Sequence, residues 1–150
     1  ESAAKPAGAV LCLSATSGKQ VWRRDLPDGV LTAVVAGRKA LFAGCRDGRV
    51  YALSPGTGEI LWSAACGGGA VVSSPLLDSR EKALVVASAG GVLQGLSPAS
   101  GRRLWALSIG KLKGEEEDLQ LYSSPSAAGG RLVLGTMSGS LLGFSFPGQD

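Results

Sequence analysis

The sequence predicts an all-β protein built of four-stranded antiparallel blades, a segment of a β-propeller, and three observations point there. A unit recurs every 40 to 43 residues, each recurrence divides into four short strand-forming runs, and no stretch carries the 3.6-residue apolar period of a helix. Glycine adds to this: 23 of 150 residues are glycine against 7 prolines, with no Gly-X-Y period, so turns are frequent and neither collagen nor Pro-rich disorder fits.

The repeat is read from three segments that superimpose: Gly8-AVLCLSATS-Gly18-KQV-Trp22, Gly48-RVYALSPGT-Gly58-EIL-Trp62 and Gly91-VLQGLSPAS-Gly101-RRL-Trp105. In each, the second glycine follows the first by 10 residues and the tryptophan follows it by 14. Trp22, Trp62 and Trp105 are all the tryptophans of the chain and share one slot. A fourth copy opens at Gly139-SLLGFSFPG and ends before its tryptophan.

Strand-rich runs at 39–45, 82–89 and 131–137 alternate with these units, and Thr32-Ala33-Val34, Ser73-Ser74-Pro75 and Ser123-Ser124-Pro125 precede them. The expected pieces are two strands in 9–26, four in 30–66, four in 70–109 and three in 121–147. That is about three and a quarter blades in one partial propeller over residues 1–150, with no second domain. Fewer than four blades do not close a ring, so the remaining blades are expected from the parent protein or from association. The chain starts at Glu1, which also suggests a piece of something larger. Blade sheets bury both faces, so VVSSPLL and ALVVAS are read as nearly continuous apolar inner strands, and the mean hydropathy of +0.20 needs no membrane span.

Each repeat residue has a structural role to fill. Ser14, Ser54 and Ser97 are placed to cap the following turn with a side-chain oxygen, and Gly18, Gly58 and Gly101 to close it with a positive φ. The tryptophan, on an outer strand, is expected to lie on the turn of an adjacent blade as a clamp. Trp22, at the edge, is expected to contribute less than Trp62.

Composition removes much chemistry. There is no histidine and no asparagine, and Cys12, Cys45 and Cys66 are far apart among small or apolar residues, so neither a CxxC metal site nor a disulfide framework fits. A reducing, cytoplasmic compartment is the expectation. The 15 Lys+Arg and 12 Asp+Glu leave a formal charge of +3, and the signs alternate along the chain, which argues against a nucleic-acid partner. No apolar run is long enough to span a membrane.

The run from Tyr51 to Trp62, YALSPGTGEILW, resembles the tryptophan-docking repeat of quinoprotein (PQQ-type) propellers, A-x-D-x-x-T-G-K-x-x-W, with serine in place of the usual aspartate in all three full copies. WD40 repeats end in Trp-Asp, whereas Trp22-Arg23, Trp62-Ser63 and Trp105-Ala106 stand here. A narrower likeness lies in Cys66-GGGAVVSSP, Ala89-GGVLQGLSPASGRRLW, Ile109-GKL and Gly139-SLLGFSFPG. These are similar to the C-terminal propeller of the β-alanine-activating family of acyl-CoA synthetases. That resemblance implies a parent that is an ATP-dependent acid–thiol ligase, using ATP, Mg²⁺ and a phosphopantetheine carrier, with this chain part of its last domain.

No cofactor, metal or catalytic residue is expected in the chain itself. The calcium ligands, asparagine and vicinal cysteines that quinoprotein dehydrogenases use for their cofactor are missing, and Cys66-Gly67-Gly68-Gly69 lacks the Gly-Lys-Ser/Thr of a phosphate loop. Leu77-Asp78-Ser79-Arg80 offers only the Asp-Ser pair of a carrier attachment site and reads as a turn. One segment breaks the period. Seven extra residues around 111–121 bring Lys111, Lys113, Glu115, Glu116, Glu117 and Asp118, a solvated loop and the foremost candidate for protein contact. The expected function is therefore a scaffold or docking module contacting the parent's other blades and domains or a protein partner. The alternative is a free-standing adaptor similar to outer-membrane assembly scaffolds or lumenal sensors.

Overall fold

The computed structural model describes residues 8–109 and 120–145. Among the described residues thirteen strands fall into four antiparallel sheets whose strands lie in chain order. The first sheet pairs β1 (Gly8–Leu13) with β2 (Gln20–Leu26), and the second runs β3 (Val35–Ala36), β4 (Leu41–Gly44), β5 (Arg49–Leu53), β6 (Ile60–Ala65). The third runs β7 (Leu76–Leu77), β8 (Leu84–Ala87), β9 (Val92–Leu96), β10 (Arg103–Ser108), and the fourth β11 (Ser126–Ala128), β12 (Arg131–Gly135), β13 (Leu141–Ser145). These are propeller blades, each a meander from an inner to an outer strand. Among the described residues no helix is long and apolar enough to cross a membrane.

The core is a set of layers between sheets, which explains why β4 and β8 are apolar at every position. Successive side chains of a strand point to opposite faces. In β4, Phe42 joins the layer between the second and third sheets, while Ala43 joins the layer shared with the first. In β8, Leu84 and Val86 face one neighbour and Val85 and Ala87 the other, all four fully buried. A strand with one solvated face would alternate; these do not.

Two expectations about local structure change. The inner strands are only two or three residues long, so VVSSPLL is not one continuous strand. Pro75 brings no N–H, and side-chain hydroxyls take over pairing: the Ser73 hydroxyl donates to the Ala87 carbonyl at 3.0 Å, and the Gly135 N–H donates to Ser123 Oγ at 3.2 Å. The second serine of each pair stitches blades together. Ala33 N–H donates to Ser74 Oγ at 3.1 Å, and Ser74 N–H donates to Ser124 Oγ at 2.9 Å.

In the repeat turns Gly18, Gly58 and Gly101 take the expected positive φ, 67° to 71°, but the serine hydroxyls act differently from expectation. Among Ser14, Ser54 and Ser97, only the Ser14 hydroxyl accepts a turn N–H, that of Ser17 at 3.3 Å. In all three turns the serine carbonyl accepts from the glycine N–H at 2.8 Å, so the backbone closes the loop and needs no aspartate or serine oxygen. The hydroxyl that recurs sits three residues on, where Ser17, Thr57 and Ser100 accept from the N–H of Lys19, Glu59 and Arg102 at 3.3–3.4 Å. The leading glycines Gly48, Gly91 and Gly139 close the preceding hairpins at positive φ, whereas Gly8 is set by close approach to the Asp28 backbone.

Candidate functional site

The tryptophan slot is the best-defined side-chain constellation, and the structure places it between blades. Trp22 on β2 donates from Nε1 to the Pro55 carbonyl at 2.9 Å, and its ring lies on Gly58; Trp62 on β6 does the same to Pro98 at 3.0 Å and Gly101. Each tryptophan therefore reaches forward onto the third hairpin of the next blade. Trp22 is not a weak edge contact, as expected from its position, but is 8% exposed and fully docked. Trp105 lies over Gly95 of its own sheet, and the hairpin that would receive it falls outside the described residues.

Because every blade is a meander, its first and third hairpins share one end of the molecule and its second hairpin lies at the other. The first hairpins carry Arg38, Lys39, Arg80, Lys82 and Arg131, all exposed. The third hairpins add exposed Lys19, Arg102 and Arg103. Against these eight cations stand three acids, Glu59, Asp78 and Glu81, and all three are engaged locally, Glu59 accepting from the Thr57 hydroxyl at 3.3 Å. Asp78 accepts the Lys82 N–H at 3.4 Å, and Glu81 accepts the Arg38 N–H at 3.1 Å with its guanidinium 3.7 Å away. Glu81 holds this inter-blade contact from a left-handed backbone, φ 53°, a conformation that costs a side-chain-bearing residue on the order of 1–3 kcal/mol.

At the opposite end, the described hairpins and connections carry only Arg46 and Arg49 against Asp28 and Asp47. The alternation of sign along the chain thus hides a separation in space: one end is basic, the other balanced. Two clefts open between neighbouring blades at the basic end. One, of about 350 Å³, is lined by Leu76, Leu77, Asp78, Ser79, Ala127 and Ala128 and bordered by Arg80. The other, of about 270 Å³, runs between Arg38 and Lys39 on one blade and Pro98 and Ala99 on the next.

Reactive side chains elsewhere are consumed by packing. Tyr51 donates to Asp47 Oδ2 at 2.5 Å, and burial followed by this carboxylate pushes its hydroxyl well above the ordinary phenol range. Burial raises the Cys45 thiol, which donates to the Asp28 carbonyl at 3.2 Å, and pushes the Cys66 thiol up to about 11. A nucleophilic cysteine needs the opposite shift. All three cysteines are free thiols, and among the described residues no three His, Cys, Asp or Glu side chains group as metal ligands. Lys111, Lys113, Glu115, Glu116, Glu117 and Asp118 lie outside the described residues.

The thiol shift has a consequence for stability. Between pH 9.0, the ordinary thiol value, and about 11, the unfolded chain loses the Cys66 proton while the folded chain keeps it. This contribution is full below pH 9 and is lost as pH rises toward 11. Denaturant midpoints measured across that window should fall, and fall less steeply in Cys66→Ala; equal slopes in both proteins would contradict the assignment.

Comparison with known proteins follows the same lines. A family model described as outer membrane protein assembly factor BamB matches residues 6–148. Among solved structures, BamB from Moraxella catarrhalis is similar with a TM-score of 0.76 and 22% identity, over 93% of this chain and 40% of that one. The computationally designed Ika4 protein superimposes with a TM-score of 0.74 and 16% identity, over 92% of this chain and 79% of that one. Quinohemoprotein alcohol dehydrogenase from Comamonas testosteroni gives 0.60 and 20% over 72% of this chain and 17% of that one. No curated protein matches the sequence. These likenesses support the repeat and the propeller fold; they lend no support to the narrower likeness to acyl-activating enzymes. The chain spans less than half of the Moraxella protein, and it belongs to the PQQ-like repeat family of the outer membrane protein assembly factor BamB.

Proposed function

We propose that this chain is a non-catalytic propeller segment that serves as a protein-interaction scaffold. One observation carries the reading: the repeat residues and the buried thiols and phenol are committed to closing turns and blades, while the first and third hairpins present an exposed surface with clefts. Function then resides in shape and surface charge, as it does for other repeat proteins. The scaffold reading agrees with a family described by an assembly factor.

For the parent protein, the segments at Cys66, Ala89, Ile109 and Gly139 favour a multidomain acyl-activating ligase in the cytoplasm, with ATP, Mg²⁺ and a phosphopantetheine carrier handled by other domains. An adaptor of outer-membrane assembly type is the second reading, favoured by the family match. Both are tested on the full-length protein. ATP-dependent adenylation of a carboxylic acid that survives disruption of the propeller, together with loss of co-purifying partners, is the expected result. Turnover of a quinone or an acyl adenylate by the propeller itself would overturn the scaffold reading.

A further inference from the structure

We propose that the end bearing the first and third hairpins binds an acidic, extended polypeptide segment of a partner protein. The inference rests on the scaffold reading and gives it a partner chemistry. Eight exposed cations and three acids give this end a net charge of +5, while the described residues of the opposite end sum to zero. The whole chain shows only +3. Such a field raises the encounter rate with an anionic partner and fixes which end it meets.

Two features select a polypeptide over other anions. Single-stranded nucleic acid is held by aromatic platforms as well as by cations. Here Trp22 and Trp62 are docked between blades, Trp105 is half-buried against Gly95 of its own sheet, Phe42 and Tyr51 are buried, and exposed Tyr122 precedes β11 and so lies at the other end, so no exposed aromatic platform stands among the described residues of these hairpins. No described helix projects from this end to enter a duplex groove. The clefts, in contrast, have room for small side chains between neighbouring blades. The larger has Leu76, Leu77, Ala127 and Ala128 in its wall beside Asp78 and Ser79, with Arg80 at its border, and the smaller lies one blade away, lined by Arg38 and Lys39 with Glu81 beside them. A segment with carboxylates alternating with small apolar residues would place its side chains in successive clefts and its charges on the rim.

The test uses the full-length protein and a fluorescently labelled 12-residue peptide of alternating Glu and Ala. Anisotropy should report saturable binding that weakens as salt rises. The triple variant R80E/R102E/R131E should lower affinity at least tenfold, with an unchanged melting profile, whereas R46E at the opposite end should leave it unaltered. Three results would overturn the proposal: equal binding by wild type and the triple variant, tighter binding of an oligonucleotide of equal charge, or tighter binding of phosphatidylserine vesicles. If natural partners still co-purify with the triple variant, the scaffold reading stands and the acidic-segment inference fails.

Discussion

Replacing Trp62 by alanine destabilises the propeller by about 3–5 kcal/mol, the range for aromatic truncation in a packed core. Trp62 sits at the meeting point of two blades: its ring tilts against Phe42 at a centroid distance of 5.8 Å, covers Gly101, and donates to the Pro98 carbonyl. Truncation removes the ring and leaves the Pro98 carbonyl without its partner. Trp62→Phe keeps much of the buried ring, and its loss should be dominated by the hydrogen bond and the missing ring atoms, about 1–2 kcal/mol. Trp22→Ala should cost as much as Trp62→Ala, since Trp22 makes the same bond to Pro55 and the same contact with Gly58. Denaturant unfolding of the full-length protein measures all three. A loss for Trp22→Ala below half that for Trp62→Ala would show that docking depends on position in the ring and not on the slot.

The equivalence of Trp22 and Trp62 marks where the sequence was informative and where it was not. Glycine-to-tryptophan spacing revealed the blades because a hairpin of fixed geometry demands a glycine at a fixed offset, and a clamp demands its ring at another. The direction of the clamp was not legible, because spacing within one unit does not say which neighbour it touches. The serine pairs were visible as Ser73-Ser74 and Ser123-Ser124, but their division into one intra-blade and one inter-blade bond depends on blades being adjacent. Charge misled for the same reason. Arg38, Arg80 and Arg131 are 42 and 51 residues apart with acids between them, and only the meander brings their hairpins to one end. Glu81, in a left-handed conformation that sequence rules assign to glycine or asparagine, gave no signal at all.

Gly101→Ala should cost about 2–6 kcal/mol, far more than a turn glycine ordinarily costs, and the excess should vanish when Trp62 is removed. Two penalties meet at this position. Its φ of +71° disfavours any side chain, on the order of 1–3 kcal/mol, and a Cβ there would lie 2.5 Å from Trp62 Cε3, forcing the ring off its seat at about 1–3 kcal/mol more. Gly67 isolates the first penalty, because it has a φ of +56° and no atom within 4 Å of where its Cβ would be. Gly67→Ala should therefore lose only the backbone share. In the double variant Trp62→Ala/Gly101→Ala the clash has no ring to meet, so the two losses should fall short of additive by about 1–3 kcal/mol. Denaturant unfolding of wild type, both single variants and the double variant closes this cycle. Additive losses, or equal losses for Gly67→Ala and Gly101→Ala, would show that the glycine is required for its backbone alone and that the tryptophan does not rest on it.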